Sequence, residues 1–409
     1  MDTAQLERVY RAEAPRITAA LAARIGDVGL AADAVQDAFV EALEHWPDGG
    51  VPPNPGGWLA TTARRKAIDR LRRARAGQEK LALLAATEAD TCVAASETGH
   101  ADDELLGMIF ACCHPALPRE SQIALTLRAV CGLSTAEIAA AFLVGEAAMT
   151  QRLLRARKAL RSTGPDGAHA DMRVPDPDHL ADRLAEVLAV VYLVFNEGYL
   201  ASAGRQPARR DLAAQAVALT RLLHRLMPRE PEVLGLLALL LLHESRAATR
   251  FDGWGRLVRL ADQDRTRWNR KLIAEATGLL DRALTQRASG PYQVQAAIAA
   301  LHAEAPDYDH TDWRQIRILY DRLQELTPSP VVLLNRAVAT RYVLGPEAAL
   351  AEITPLAAEL DGYRLYHALR AGLLAGLGRD DESRAASERA LALAGNPAER
   401  ELLARRLSF

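Results

Sequence analysis

The sequence contains little cysteine and few aromatic residues, and it has no long hydrophobic run. Its four cysteines are too few and too irregularly spaced for a disulfide framework, and they suit a reducing compartment. The longest apolar run, Val233 to Leu242, is too short to cross a bilayer and predicts a buried helix. The polar, acidic N-terminus has no apolar signal core. We therefore expect a cytoplasmic protein with no membrane segment.

The sequence also lacks a strong net charge and the short motifs of common enzymes. A net charge of −2 argues against a protein that coats nucleic acid, so any DNA contact must come from local basic patches. Phosphate-binding glycine loops, an H-E-x-x-H helix and a G-x-S-x-G turn are all missing. Adjacent Cys112 and Cys113 lack the spacing of a zinc site, and we assign them to packing. We expect no catalytic residue, no metal and no cofactor.

Alanine, leucine and arginine are abundant, in segments separated by glycine and proline. Few segments alternate between apolar and polar residues, so an all-α fold is predicted. A chain of 409 residues is too long for one helical core, which indicates two or three domains.

Residues 118–162 have the pattern of three short helices, with breaks at residues 131–133 and 144–145. Ser134 with Glu137 three residues later is a capping box, which marks a helix start. We expect Gly145 to take the positive φ of a tight turn and the next helix to begin at Glu146. Two helices joined by a short glycine-containing turn are typical of the DNA-binding helix-turn-helix.

The last of these helices has an apolar and a basic face. The side chains predicted to point inward are Met149, Leu153, Leu154 and Leu160. Five cations against one glutamate give residues 146–161 a net charge of +4. This charge fits a helix in the major groove, and it also fits a solvated face on an ordinary helical hairpin. We favour DNA binding.

The N-terminal part pairs an acidic helix with a basic one. Residues 1–46 predict two helices; the second, about residues 30–46, is acidic on one side and stops at Pro47. The helix from Gly57 to Arg75 has a net charge of +6 and apolar residues at helical spacing. The chain thus has two separate basic modules.

In this order the motifs resemble extracytoplasmic-function sigma factors of bacterial RNA polymerase. The resemblance rests on residues 33–39, on Trp58-Leu59, on residues 64–69 and on a helix-turn-helix that ends in residues 151–157. Residues 110–117, followed by the long helical tail, resemble the subgroup with tetratricopeptide-like C-terminal extensions. The resemblance therefore spans essentially the whole chain.

The resemblance implies an all-α fold with two small sigma modules and a helical-hairpin extension. The expected division is a region 2 module at 1–75, a linker at 76–104, a region 4 helix-turn-helix module at 105–163, a second linker at 164–179 and the extension at 180–409.

The resemblance also assigns roles to matching positions. Docking on the β′ clamp helices of core polymerase would use Asp33, Gln36 and Asp37, although a solvated helix face fits these residues equally well. The residues expected to hold the melted −10 element are Trp58, Arg64, Arg65, Lys66, Arg72 and Arg73. The family pattern usually has asparagine at the position of Arg65, which favours a backbone contact there.

The residues expected at the −35 element are Ala148, Thr150, Gln151, Arg152, Arg155 and Lys158. The first four are expected to face bases, since glutamine and arginine can bond adenine and guanine bidentately. Arg155 and Lys158 are expected to hold phosphates. Arg157, on another face of the helix, would contact the polymerase flap or form a salt bridge.

The tail shows a weak internal repeat. Gly345 and Gly378 lie in similar sequences 33 residues apart, and Pro231 and Pro330 are offset by 99 residues, three such steps. Tetratricopeptide repeats have a period of about 34 residues. Stacked hairpins of this kind usually bind peptides or proteins along a concave face. The alternative is a packed helical domain that contacts only the sigma modules, and both alternatives stay open.

Two unusual motifs in the tail are assigned structural roles. Residues 196–199, Asn-Glu-Gly-Tyr, are predicted to form the cap and turn after an apolar helix of residues 187–195 rather than a catalytic site. Residues 262–265, Asp-Gln-Asp-Arg, are predicted to form an ion-pair network with Arg265 or Arg267 rather than a cation site.

The sequence as a whole predicts a promoter-specificity subunit with no bond chemistry of its own. Its expected partners are core RNA polymerase, through the β′ clamp helices and the β flap, and promoter DNA. A protein or peptide partner of the extension is a further expectation. The alternative is a one-component transcription factor whose helix-turn-helix binds an operator without polymerase and whose tail senses a ligand.

Overall fold

The computed structural model describes residues 3–73, 98–142, 144–164, 171–200, 208–395 and 397–407, apart from the side chains of a few residues in these ranges. The described residues form eighteen α-helices and no strand, as the all-α prediction requires. The chain divides into two compact units, 1–194 and 195–409. The predicted linker 76–104 falls mostly outside the described residues, and a helix is already present from Thr98.

The first unit is built from seven helices and most of an eighth. They are α1 (Thr3–Ile25), α2 (Val28–Gly49), α3 (Pro55–Arg73), α4 (Thr98–Cys112), α5 (Arg119–Ala129), α6 (Thr135–Ala141), α7 (Glu146–Arg161) and α8 (Pro177–Tyr199). The division between the units falls inside α8, after Val194. Helices α5, α6 and α7 are the predicted helix-turn-helix, with both breaks where the sequence placed them.

The capping box at the start of α6 is confirmed. The backbone N–H of Glu137 donates to Ser134 Oγ at 3.2 Å, and the backbone N–H of Ser134 donates to the Glu137 carboxylate at 2.7 Å. These two bonds satisfy N–H groups that the first turn of a helix leaves free.

Three local predictions in this unit are wrong. Helix α2 continues through Pro47 and ends at Gly49, where Gly50 takes a φ of 78°. The positive φ of the helix-turn-helix belongs to Gly132 at 71°, in the turn between α5 and α6, whereas Gly145 is extended at the start of α7. Leu154 is 48% exposed, and Ala156 takes the inward position with Met149, Leu153 and Leu160.

The second unit is also helical. Its helices are α9 (Arg210–Leu226), α10 (Pro231–Ser245), α11 (Arg270–Thr285), α12 (Pro291–Glu304), α13 (Trp313–Leu326), α14 (Pro330–Leu344), α15 (Pro346–Ile353), α16 (Arg364–Gly376), α17 (Asp380–Ala392) and α18 (Pro397–Leu407). Residues 233–242 of α10 are buried without interruption, which confirms the buried helix predicted there. None of the described helices is long and apolar enough to cross a bilayer.

The repeat positions in the tail are structurally equivalent. Gly345 and Gly378 both follow a helix and both have positive φ, 93° and 70°. Pro231 and Pro330 both stand in the first turn of a helix, where a missing N–H costs nothing. The 33-residue spacing therefore recurs as helix end followed by helix start.

The three cysteine thiols within the described residues are free. Cys112 and Cys113 are fully buried, and burial raises the pKa of Cys113 to about 11. Burial likewise raises the pKa of Cys131, at the end of α5, to about 12. No group of three or more metal-ligating side chains occurs within the described ranges.

Candidate nucleic-acid and polymerase interface

Helix α7 presents its predicted DNA face to solvent. Its buried residues recur at steps of four, three and four, so they form one stripe against the rest of the helix-turn-helix. On the opposite side five of the six predicted −35 residues are exposed: Ala148, Thr150, Gln151, Arg155 and Lys158. Among them Arg155 Nε donates to the Gln151 carbonyl at 3.3 Å.

Arg152, the sixth predicted −35 residue, is tied to its own module. Its guanidinium lies 2.7 Å from the Glu120 carboxylate on α5 and 5.4 Å from the ring centroid of Phe142. Glu120 is 65% exposed, so this ion pair contributes little to stability and can be exchanged for another partner. Arg152 is held near the face that it would use.

The basic helix α3 is partly neutralised by α2. Lys66 Nζ lies 2.6 Å from the Glu41 carboxylate, and Arg65 donates to the same group. Hydrogen bonding from Lys66 and Arg65 lowers the pKa of Glu41. Trp58 packs edge-on against Trp46 with ring centroids 5.4 Å apart.

The remaining predicted −10 residues differ in exposure. Arg72 is exposed and Arg64 is half-buried. The side chain of Arg73 lies outside the described residues. The predicted −10 set is therefore located on one helix, with two of its cations already paired to a carboxylate.

Asp33, predicted to face polymerase, is bound instead by the helix-turn-helix. Arg157 on α7 donates to both its oxygens, at 3.0 and 3.2 Å, and Arg128 on α5 donates at 2.6 Å. Burial raises the pKa of Asp33, but the charges and hydrogen bonds of Arg157 and Arg128 outweigh it, so the net pKa is lowered. Of the two uses that the sequence left open for Arg157, the salt bridge is present.

Contacts on either side of Asp33 extend this junction. Gln36 Nε2 donates at 3.4 Å to the carbonyls of Gly132 and Leu133, in the turn between α5 and α6. Arg161 on α7 pairs with Asp27, the N-cap of α2. We call these contacts, together with Asp33–Arg128 and Asp33–Arg157, the α2–α7 junction.

Asp37, the third predicted polymerase residue, pairs within its own module. Its carboxylate accepts from Arg70 on α3 at 2.6 and 3.0 Å. Asp33 and Gln36 thus bind the helix-turn-helix, and Asp37 binds the basic helix, whose Arg70 also lies 3.8 Å from Asp33. The sequence analysis did not identify Arg128 as a partner of Asp33. The available signal was that this arginine stands at a position of α5 whose helical spacing indicates burial.

The start of α8 is fixed to the helix-turn-helix module. Arg119 on α5 lies 2.7 Å from the Glu186 carboxylate, and Arg183 donates at 2.6 Å to the Phe110 carbonyl near the end of α4. A Cβ added at Gly107 would lie 1.8 Å from the Met172 carbonyl, so the segment before α8 also runs against α4. The first half of α8 therefore packs with the helix-turn-helix module.

The chain matches three family models. Residues 9–77 match sigma-70 region 2, residues 107–160 match sigma-70 region 4, and residues 183–284 match a family of unknown function, DUF6596. The chain is also 46% identical over 403 residues to an uncharacterized protein of Rhizobium meliloti (strain 1021). The aligned region covers 97% of this chain and 94% of that protein. No solved structure matches the chain.

Proposed function

We propose that this chain, which belongs to the sigma-70 family of RNA polymerase sigma factors, is of the extracytoplasmic-function type and is regulated through its helical extension. As a sigma factor it directs core polymerase to promoters for transcription initiation. Only regions 2 and 4 are matched, and 29 residues, 78–106, separate them. This two-module layout supports the extracytoplasmic-function assignment.

The proposed promoter contacts follow the exposed faces of the two basic helices. Gln151 and Arg152 would read −35 base edges, and Lys158 would hold a phosphate. The cations of α3 would follow the backbone of the melted −10 strand. The exposure of five of the six −35 residues is the observation that supports this assignment best.

We further propose that the α2–α7 junction is a resting state. Docking through Asp33 and Gln36 needs these side chains free, and here both are engaged by the helix-turn-helix. Binding to polymerase would exchange Arg128 and Arg157 for basic groups of the clamp. Since α8 packs on the helix-turn-helix module, the extension is connected to the half of the junction that must move.

Core binding without DNA tests this proposal. Purified core polymerase should bind the full chain, and Arg157→Gln should bind it several-fold more tightly because Asp33 loses the partner that bonds both of its oxygens. Arg155→Gln, two residues away and on the exposed face of the same helix, is the matched control and should bind like wild type. Failure of the wild-type chain to bind core would overturn the polymerase assignment; equal affinity of Arg157→Gln would overturn the resting state alone.

Promoter preference tests the division of labour on α7. We expect Arg152→Ala to change which −35 sequences are selected from a promoter library, by about 1–3 kcal/mol at one base pair. Lys158→Ala should weaken all promoters alike. Equal losses across the library for both variants would contradict the assignment.

The one-component factor remains the second candidate, because the DNA face of α7 is exposed while Asp33 is covered. A gel-shift experiment separates the two functions. A sigma factor of this kind should select promoter DNA only together with core polymerase, whereas a one-component factor would bind its operator alone.

A further inference from the structure

The second unit contains two neighbouring arginines that form no ion pair with a carboxylate of the described residues. Arg250 is 9% exposed and Arg246 is half-buried, and neither forms an ion pair with any described residue. A buried guanidinium loses hydration, and no ion pair within the described residues replaces it here. Buried charges in proteins are usually paired, so we expect a binding partner for these two arginines.

The two arginines flank one tyrosine. The Arg250 guanidinium carbon lies 3.5 Å from the ring centroid of Tyr199, and that of Arg246 lies 5.8 Å from the same centroid. His243 completes the group: its ring centroid is 5.2 Å from that of Tyr199, and its Nδ1 is 3.1 Å from Arg246 Nη2. Ring stacking fixes the plane of the Arg250 guanidinium but occupies none of its N–H donors.

Hydrogen-bonding capacity is left over at this group. Tyr199 Oη and Arg250 Nε are both buried, and neither has a hydrogen-bond partner among the described residues. Buried polar atoms in native proteins are satisfied in the great majority of cases, so unsatisfied donors on two touching side chains indicate a missing acceptor.

The only carboxylate that influences Arg250 across the described residues is already committed. Glu399 on α18 is bonded to Arg364, and burial raises its pKa. Burial also lowers the pKa of Arg250 to about 10, and burial with the charges of Arg246 and Arg250 lowers that of His243. The region is therefore positive and short of counter-charge.

The backbone that carries the arginines is held in place by the loop between α10 and α11. The Val258 N–H donates to the Arg250 carbonyl at 2.8 Å, next to a bridge between Phe251 and Leu257. Thr249 Oγ1 accepts from the indole of buried Trp268 at 3.0 Å and bonds Gln263 at 3.3 Å. A preorganised donor set is what a binding site needs.

We infer that Arg246, Arg250 and Tyr199 bind the oxyanion group of a small molecule, a carboxylate or a phosphate, in the part of the extension that matches DUF6596. Guanidinium groups bind both kinds of oxyanion through paired N–H donors. The site goes beyond the proposed function, because nothing in promoter recognition requires an anion here. It would give the extension a ligand to sense.

Both motifs that the sequence analysis singled out in the tail belong to this neighbourhood. Tyr199 is the last residue of α8, so residues 196–199 are helical and not the cap and turn predicted for them. The predicted ion-pair network of residues 262–265 is wrong: Asp262 pairs with Arg259, and Asp264 caps the turn at Thr266. Arg265 instead donates to the carbonyls of His302 and Ala305, at the end of α12, which is favourable at the negative end of a helix.

Calorimetric titration of the full chain tests the site, in a buffer free of phosphate and carboxylate and at constant ionic strength. The probes are inorganic phosphate and succinate. We expect saturable binding of at least one probe, about tenfold or more weaker in Arg250→Gln. The arm that binds identifies the oxyanion: phosphate alone indicates a phosphoryl ligand, and succinate alone indicates a carboxylate.

Two further variants keep the result decisive. Tyr199→Phe keeps the stacked ring and removes only the hydroxyl, so it should fold and bind several-fold more weakly. Arg267→Gln, an exposed arginine nearby, should bind like wild type. No saturable heat with either probe, or equal affinity in Arg250→Gln, Tyr199→Phe and wild type, would overturn the inference. The titration contains no polymerase and no DNA, so it stands or falls separately from the sigma assignment.

Discussion

Arg157 in the first unit and Arg250 in the second show two ways of treating a buried positive charge. Arg157 forms a two-bond ion pair with Asp33, which Arg128 shares. Arg250 lies against the face of Tyr199 and has no ion-pair partner among the described residues. Arg157 is neutralised inside the chain, by a residue predicted to bind polymerase. Arg250 is the arginine for which we infer a partner from outside.

The largest expected effect comes from removing the shared carboxylate. Asp33→Ala leaves Arg128, whose side chain is only 7% exposed, without its counter-charge. We expect the free energy of unfolding of the first unit to fall by about 3 kcal/mol, the usual cost of breaking a buried pair from one side. Hydrogen exchange of α5 amides measures this local stability. A loss below about 1 kcal/mol would mean that water replaces Asp33 at no great cost.

The two units should also differ in their response to acid. Burial lowers the pKa of His302 from 6.5 to about 4, so the unfolded chain binds its proton first and the second unit loses stability as pH falls from 6.5 to 4. The loss is at most about 3 kcal/mol from this histidine. The lowered pKa of Asp33 stabilises the first unit above its unfolded value of 3.8, and this stability is lost only at lower pH.

Urea denaturation at several pH values, followed by far-ultraviolet circular dichroism, checks this difference. The transition of the second unit should show the larger shift on acidification, since in the first unit burial also lowers the pKa of His114 but that ring is only partly buried. His302→Gln should reduce the shift, and His310→Gln, at an exposed histidine, should leave it unchanged. Loss of the first unit near pH 6 would contradict the assignment.

Replacing Arg157 and Arg250 in turn by methionine compares the sign of the change in the free energy of unfolding at the two sites. Arg157→Met leaves Asp33 with one fewer partner, and we expect a loss of about 1–2 kcal/mol. Arg250→Met removes a charge that has no partner, so in anion-free buffer it should be neutral or stabilising by up to about 1 kcal/mol. Equal destabilisation by the two substitutions would show that the contact with Tyr199 alone stabilises the Arg250 guanidinium.

The smallest effect is expected at an exposed pair of the second unit. Arg221 and Glu275 join α9 and α11 at 2.5 Å, yet both side chains are more than one third exposed. Glu275→Ala should change the free energy of unfolding by less than about 0.5 kcal/mol, and less again at high salt. A larger change would indicate that this pair orders the two helices.

Local sequence patterns predicted the helices well, because their causes are local. The Ser134–Glu137 capping box, the start of α7 at Glu146 and the buried run in α10 are all present. Leu154 was placed inward because leucine is apolar, but the helical step puts Ala156 there. Alanine carries a weak signal of burial, so composition could not choose between them.

Contacts distant in the sequence could not be predicted. Asp33 and Arg157 are separated by 124 residues, and nothing in either neighbourhood specifies the other. Arg250 and Tyr199 meet through a loop whose course depends on Thr249 and Trp268. The predicted promoter-facing and polymerase-facing roles remain predictions; what the structure adds is which of those side chains already have partners.

The reactivity of Cys131 can report whether the α2–α7 junction is closed or open. The thiol adjoins the turn whose carbonyls Gln36 holds, and with a pKa of about 12 almost none of it is the reactive thiolate at neutral pH. Separation of Gln36 from that turn would admit water and bring the thiol toward ordinary reactivity. The alkylation rate at Cys131, read by mass spectrometry against that of fully buried Cys112, would then follow opening on addition of polymerase without any attached dye.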